Sequence, residues 1–416
     1  MNARSIALEL LESVLEKQQP FDQALEAHAG LRQLEARDRA FVRLLVATVL
    51  RRLGTLDSAI NNALAKPGIP AVARNALRLG LAQLRYLQTP PHAALSTTVD
   101  LVATRAPGLK ALVNAILRKA DTLPFDESPG AALPEGLYRR WIRTYGADVA
   151  ADIAVAILSE PPLDISVKQD PESWAQKLEA QILPLGTLRR AVEGPITALP
   201  GFDEGAWFVQ DLAASLPAKL LGDVNGQTIY DLCAAPGGKT AQLAAAGAIV
   251  TAVDRSAGRL KRLSENMQRL HLNVTSVTAN AATWQAPPAD AILLDAPCTA
   301  TGTIRRHPDV PHLKSAADLA ALTKLQAELI DHAATFLKPG GRLIYCTCSL
   351  EPEEGEAQIT ALAERKTGLR SDPIAAAELP GLERLLTPEG AVRALPSYLA
   401  ELGGIDGFFI ARLVKE

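Results

Sequence analysis

Cysteine is scarce, with four residues in a chain of 416. That is too few for a disulfide framework, so free thiols in a reducing compartment are expected. Histidine is also scarce, at six residues. Neither a Cys-x-x-Cys pair nor a zinc-like histidine spacing occurs, and no metal is expected. No apolar run approaches the ~20 residues that a membrane-spanning helix needs, which argues against a membrane partner. Internal repeats and low-complexity tracts are missing, which removes solenoid architectures. Residues 1–19 carry Glu9, Glu12 and Glu16 within an amphipathic pattern. That pattern fits an ordinary helix rather than an export or transit peptide, and a cytoplasmic location is expected.

What is present is ample apolar material. Hydrophobic residues make up 48% of the chain, enough for sizeable cores and too much for wholesale disorder. At roughly 150 residues per domain, two or three domains are expected. The net charge of −3 is uninformative until it is divided. Residues 1–122 hold 16 Lys/Arg against 10 Asp/Glu, a balance of +6, which leaves −9 on the remainder. A basic segment joined to an acidic one suggests an anionic partner for the basic part, although a solvated helical surface has the same composition.

The first 125 or so residues carry helical periodicity throughout. Ile6, Leu10 and Val14 repeat every four. Phe41, Leu44, Leu45, Thr48 and Val49 form an i, i+3, i+4, i+7, i+8 face, which Gly54 is placed to end. Lys66-Pro67-Gly68 punctuates, Leu77, Leu81 and Leu84 resume the stripe, and Pro90-Pro91 breaks it. Leu109, Leu112, Val113, Ile116 and Leu117 close the series, and together these predict a compact helical bundle. Leu123 to Pro134 has the proline, glycine and serine of a linker. Beyond it, a helix around Tyr138 to Leu158 and a strand at Leu163 to Val167 predict a small α/β subdomain. Arg139, Arg140 and Arg143 surround Trp141, which can stack on a base but more simply packs in a core. From about residue 206 short apolar segments alternate with helical ones: 228–232, 249–253, 274–278, 291–294 and 342–345. This predicts a parallel sheet with helices on both faces, binding its ligand at the carboxyl ends of the strands.

The first of those strands runs into Asp-Leu-Cys-Ala-Ala-Pro-Gly-Gly-Lys-Thr (231–240). Its glycines let a ligand approach the backbone, and the following helix offers free N–H groups. The phosphate-binding NTPase pattern fails because Cys233 stands where a glycine is required, and the Gly-x-Gly-x-x-Gly dinucleotide pattern fails as well. Asp254 ends the second strand, where an acid can bond ribose hydroxyls; alone it is more often a helix cap, and the glycine loop on the first strand favours the ribose. The constellation suits an adenosine-containing cofactor without identifying one.

This ten-residue segment resembles motif I of the RNA cytosine-5 methyltransferase family. The resemblance implies S-adenosylmethionine as cofactor. It implies contacts from Cys233, Ala234, Ala235, Pro236, Gly237, Gly238 and Lys239, with Asp254 on the ribose and Asp295 also at the site. The family usually has an acid near the end of the third strand, where this chain has Asn280, whose amide oxygen can still accept a hydrogen bond.

The remaining cysteines lie at the ends of two later strands, in Asp-Ala-Pro-Cys (295–298) and Cys-Thr-Cys-Ser (346–349). A buried, inert thiol is the simpler assignment for Cys346. For the other two, nucleophilic catalysis is the competing one. C5 of cytosine is a poor nucleophile, and a thiolate added at C6 makes the ring enamine-like, able to attack a methyl sulfonium. Asp295 can bond the N3/N4 edge of the base and stabilise the adduct. Residue patterns alone do not rank the two cysteines. DNA cytosine methylases have only a Pro-Cys motif, whereas the RNA family adds Thr-Cys-Ser. The resemblance therefore implies Cys348 as nucleophile and Cys298 in release of the product.

Further segments carry the same resemblance: Phe-Val-Gln-Asp (208–211), Gly-Thr-Ile-Arg-Arg-His-Pro-Asp (302–309) and Asp-Gly-Phe-Phe-Ile-Ala-Arg (406–412). Residues 37–39 and 114–118, with the helical stripes, resemble the antitermination factor NusB. A NusB-like domain ahead of such a methylase implies the bacterial branch that modifies one cytosine of 16S rRNA, free or in a subunit assembly intermediate. A monomer is expected. The implied fold class is multi-domain: a NusB-like all-α bundle (1–125), a linker and small α/β subdomain (126–205), and a Rossmann-like class I methyltransferase domain (206–416). The target base has to leave its stack. Arg305 and Arg306 are placed to hold RNA phosphates nearby, while the basic bundle adds salt-sensitive affinity.

Overall fold

A computed structural model describes residues 2–66, 68–192 and 194–416. Of the expected punctuation at 66–68, Pro67 lies outside the described residues. The chain forms two compact units. One comprises Met1–Glu160 with Ile304–Lys314, and the other Pro161–Thr303 with Ser315–Glu416.

The first unit is helical: α1 (Ala3–Leu15), α2 (Phe21–Ala27), α3 (Ala36–Arg51), α4 (Leu53–Ala63), α5 (Ala71–Arg85), α6 (Pro91–Arg105), α7 (Lys110–Leu117), α8 (Glu135–Tyr145) and α9 (Ala147–Ala156). The Asn2 side chain caps α1 by accepting from the Ser5 amide, satisfying one of the free donors of the first turn. Ile6, Leu10 and Val14 are fully buried, as their spacing predicts. In α3 the buried face is Val42, Leu45, Val46, Val49 and Leu50, while Leu44 is exposed. The stripe has the expected period but is rotated by one residue, because two overlapping sets of apolar positions satisfy the same spacing. Gly54 does not end α3; it lies in the first turn of α4. A Cβ there would stand 2.0 Å from the Ala131 carbonyl oxygen, so it admits the returning 131–132 backbone. The helix expected over 138–158 is two helices, α8 and α9, meeting at Gly146 (φ +84°), a left-handed conformation that glycine adopts without strain. Trp141 is 1% exposed and packs in the core.

The second unit holds every strand found among the described residues: β1 (Leu163–Val167), β2 (Gln181–Ile182), β3 (Leu188–Arg190), β4 (Trp207–Val209), β5 (Thr228–Leu232), β6 (Ile249–Asp254), β7 (Thr275–Thr278), β8 (Ala289–Asp295), β9 (Leu337–Thr347), β10 (Leu369–Ser371), β11 (Val392–Ala394) and β12 (Phe408–Lys415). The first four make a small antiparallel sheet in the order β2–β3–β1–β4. It is pinned to the rest of the unit by a buried ion pair. Arg189 grips Asp164 through two bonds of 2.6 Å and donates to the carbonyls of Leu402 and Gly404, while Asp164 also accepts from the Leu212 amide. The segment expected as one 126–205 piece is thus divided. Its helices α8 and α9 belong to the first unit, while its strands and the short helix Pro171–Lys177 belong to the second.

The large sheet has the order β10–β12–β9–β8–β5–β6–β7, with β11 added to β12. All five strands expected from the sequence are present, and β5 through β9 pair in parallel. The sheet is mixed rather than wholly parallel, because β12 runs antiparallel to β9, β10 and β11. Both faces are covered. Leu293 and Ile344 pack on one side with residues of Leu212–Lys219, while Ile292, Leu294 and Tyr345 pack on the other with Leu329 and Ile330. Burial on both faces explains why these strands read as continuous apolar runs.

Residues 304–314, between β8 and the helix Ala316–Ala334, belong to the helical unit. Asp309 accepts from the Phe21 amide at the start of α2 (2.9 Å), Arg51 donates to the Arg305 carbonyl (2.9 Å), and His312 bonds the Leu50 carbonyl (2.9 Å).

Candidate active site

The carboxyl ends of β5, β6, β8 and β9 lie at one edge of the sheet, where the chain diverges in opposite directions from β5 to β6 and to β8. That is the crevice where doubly wound sheets bind ligands. The loop after β5 turns sharply, with Cys233 at φ +62° and Gly237 at φ +103°. A Cβ on Gly237 would stand 2.7 Å from Leu263 Cγ, so only glycine allows this turn beneath the helix 257–269. Asp254 accepts from the amides of Ala235 (3.2 Å) and Ser256 (2.9 Å) and pairs with Arg259 (3.2 Å). It therefore ties the loop of the first strand to the end of the second, and Oδ1, with the Ser256 amide as its one partner here, keeps a lone pair.

A cavity of about 250 Å³ is lined by Cys233, Asp254, Arg259, Asn280, Pro297 and Leu329, among others. It joins the loop, the acid of the second strand end and the amide of the third, against an apolar wall. Such a donor set fits a nucleoside: oxygens for hydroxyls and aliphatic carbon for a base. Asn280 is exposed, and its side-chain oxygen accepts from the Ala282 amide (3.1 Å). A larger cavity, about 430 Å³, beside Lys168 and Lys219 contains no sequence-predicted site residue.

Lys239 carries the loop's charge inward. Its ammonium meets Asp295 Oδ2 at 2.8 Å and lies 5.0 Å from the Phe408 ring centroid. Burial lowers the lysine pKa, but the Asp295 carboxylate, with Cys346 close by, outweighs that and raises it above its ordinary value. The ammonium thus holds the Asp295 carboxylate in a fixed direction. Asp231, wholly buried, accepts from the Thr240 hydroxyl at 2.5 Å, and burial pushes its carboxyl up to about 7.

The cysteines divide as follows. Cys298 and Cys348, from loops following β8 and β9, face each other with sulfurs 3.5 Å apart. The hydrogen bond to Cys348, then burial, hold the Cys298 thiol well above its ordinary value. Two negative sulfurs at that distance would repel strongly, so one of the pair keeps its proton. Cys346 is buried, 3.5 Å from Asp295 Oδ1, and burial raises its thiol too. Burial, with Asp295 and Asp254, pushes Cys233 up to about 12.

Several residues at the site escaped sequence reasoning. Glu354 is fully buried and accepts from the Thr299 amide (2.9 Å) and from Gln326 Nε2 (3.0 Å). Arg393 donates to the Ser349 carbonyl (2.6 Å) and pairs with Glu356. The one available signal was the acid-rich stretch Glu-Pro-Glu-Glu (351–354) directly after the second cysteine motif, which resembles ordinary surface. Arg305 requires a correction. At 1% exposure it is among the most buried side chains of the protein, so in this arrangement it does not reach an RNA phosphate. Arg306 is half-buried.

Comparison with known proteins agrees with this geometry. A family model described as 16S rRNA methyltransferase RsmB/F matches residues 218–414, and one for the NusB family matches residues 1–122. Ribosomal RNA small subunit methyltransferase B of Cronobacter sakazakii is 36% identical, covering 100% of this chain and 99% of that protein. The protein of that name from Xylella fastidiosa is 39% identical over 94% of this chain and 95% of its own. Among solved structures, PH0851 covers 100% of this chain and 99% of its own with a TM-score of 0.78 at 23% identity. NSun6 from Pyrococcus horikoshii covers 68% of this chain and 98% of its own, with a TM-score of 0.59 at 22% identity. The structural likenesses establish the fold, and the sequence relatives establish descent: the chain belongs to the 16S rRNA methyltransferase RsmB/F family and carries a NusB-family domain at its N-terminus.

Proposed function

We propose that the protein methylates C5 of one cytosine in 16S rRNA through a covalent adduct between Cys348 and C6 of the base. S-adenosylmethionine, bound by the 233–239 loop with Asp254 and Asn280, supplies an electrophilic methyl group. The observation that carries this proposal is the pairing of Cys298 and Cys348 at 3.5 Å beside the Lys239–Asp295 ion pair. The Cys348 thiolate adds to C6, and C5 becomes nucleophilic enough to take the methyl group. Asp295, oriented by Lys239, bonds the N3/N4 edge of the flipped base and stabilises the adduct. Cys298 assists release: C5 loses its proton, the C6–S bond breaks and the ring double bond is restored. The basic helical unit and Arg306 contribute phosphate contacts, and the enzyme acts as a cytoplasmic monomer on rRNA or an assembling subunit.

Transfer of labelled methyl to 16S rRNA, tRNA and DNA tests this for the wild type, Cys348→Ala and Cys298→Ala. The expected result is 5-methylcytosine in 16S rRNA, lost in Cys348→Ala, with a stable protein–RNA adduct in Cys298→Ala. Label appearing only on tRNA would overturn the substrate. Full activity in Cys348→Ala would overturn the mechanism.

A further inference from the structure

Each cysteine loop is fastened through a single buried acid, Glu354. Its side chain grips the Cys298 loop. One oxygen accepts from the Thr299 amide at 2.9 Å and from Gln326 Nε2 at 3.0 Å, while the other accepts from the Thr299 amide at 3.1 Å and the Thr299 hydroxyl at 2.5 Å. Gln326, itself fully buried, also donates to the Pro297 carbonyl at 2.8 Å. The peptide groups on both sides of Cys298 are therefore held by one Glu–Gln pair. The backbone carbonyl of Glu354 holds the other loop. It accepts from the Tyr345 hydroxyl (2.7 Å) and the Thr347 hydroxyl (3.3 Å), directly before Cys348. Thr299 and Ser349, the residues following the two cysteines, have their hydroxyls 3.2 Å apart.

We infer that Glu354 is a positioning residue that sets the spacing of Cys298 and Cys348. This rests on the proposed alternation of those two thiols in adduct formation and release. The chemistry demands a carboxylate: an amide N–H, a hydroxyl and a side-chain NH₂ all donate toward it, and only an acid accepts from all three. In Glu354→Gln one acceptor becomes a donor: the Thr299 hydroxyl has to reverse to accept from it, and the Thr299 amide loses its second contact. The Cys298 loop then shifts relative to Cys348. Misplacement of reacting groups by about 1 Å costs about a hundredfold in rate.

The test compares wild type, Glu354→Gln and Gln326→Leu in two assays. The first is steady-state methylation of 16S rRNA with denaturing-gel detection of the RNA adduct. The second, independent of activity, is the rate at which diamide oxidises Cys298 and Cys348 to a disulfide, read by peptide mass mapping. In that reaction the two thiols lose two electrons and two protons, and the diazene becomes a hydrazine. Both variants are expected to lose between about tenfold and a hundredfold in kcat with KM for RNA within about twofold, to accumulate adduct, and to form the disulfide several-fold more slowly. Wild-type kcat and disulfide rate in the variants overturn the inference, as does a loss confined to thermal stability. Should Glu354→Gln not fold, Gln326→Leu decides on the same criteria. A wild type that methylates no rRNA would sink the proposed function, while the disulfide rates still decide the role of Glu354.

Discussion

Replacing Asp231 by asparagine separates the cost of a buried charge from everything else at the cofactor loop. Asp231 is fully buried at the end of β5, and among the described residues Thr240 bonds one oxygen while the other has no hydrogen-bond partner. Burial above all, then the Asp295 and Asp254 carboxylates, push the group up to about 7 against the opposing pull of Thr240 and Lys239. In the unfolded chain an aspartate titrates near 3.9. The folded state therefore retains a proton that the unfolded state releases. The associated stability is fully present below about pH 4, declines as pH rises and is lost above about pH 7. A gap of about three units at about 1.4 kcal/mol each bounds the loss near 4 kcal/mol. Between pH 5 and pH 8 the change is about 2–3 kcal/mol, because part of the loss has already accrued at pH 5. For a unit of this size, that is roughly 5–10 °C in Tm. Asp231→Asn keeps the oxygen that accepts from Thr240 and has no proton to lose. Calorimetry of both proteins at the two pH values measures the double difference, which cancels any pH-independent packing cost. The expected outcome is a variant whose Tm, relative to wild type, is 5–10 °C higher at pH 8 than at pH 5, by the same conversion of roughly 2–4 °C per kcal/mol. An equal offset at both pH values would refute the assignment of a raised carboxyl to Asp231.

Two further outcomes follow from buried charge. Arg189→Met leaves Asp164 uncompensated in a site where both side chains are almost fully buried, and should cost about 3–5 kcal/mol in denaturant unfolding of the methylase unit; a cost under about 1 kcal/mol would show that the small sheet is held by other contacts. Burial pushes Cys233 up to about 12 and holds Cys346 high as well, so iodoacetamide at pH 8 should leave both unmodified in the native protein and reach them only in denaturant. Mass mapping that finds either alkylated as quickly as in the unfolded chain would contradict these raised thiol values.

Much of the fold was legible because the signals were local. Residues 228–232 and 163–167 are short apolar runs bounded by turn-forming residues, and both are strands at those limits. The cysteine pair was legible as two motifs at strand ends, and folding brings the two sulfurs together. What was not legible depended on partners distant in sequence. Period alone left the rotation of α3 open by one residue. Gly54 stands in a helix because Ala131 passes close by, 77 residues later in number but adjacent in space. Arg305 follows the Cys298 motif and reads as an exposed cation, yet it is buried. Glu354 sits in an acidic stretch whose composition resembles solvent-facing surface, and only the converging donors of Thr299 and Gln326 reveal its role.

The stretch 304–314 bears on how the protein can be taken apart. By sequence it is a loop of the methylase, and by packing it is part of the bundle, with Asp309 closing the start of α2 and His312 bonded to Leu50. The two units are therefore not interchangeable cassettes joined by one tether. A truncation beginning at Pro161 would carry eleven residues shaped to fit a scaffold that is no longer there, and a bundle expressed as 1–160 would lack one of its own pieces. Grafting this methylase onto a different helical module would require moving or redesigning that stretch as well. Inheritance faces the same constraint, since exchanging either unit by recombination at a single joint would split a packed element.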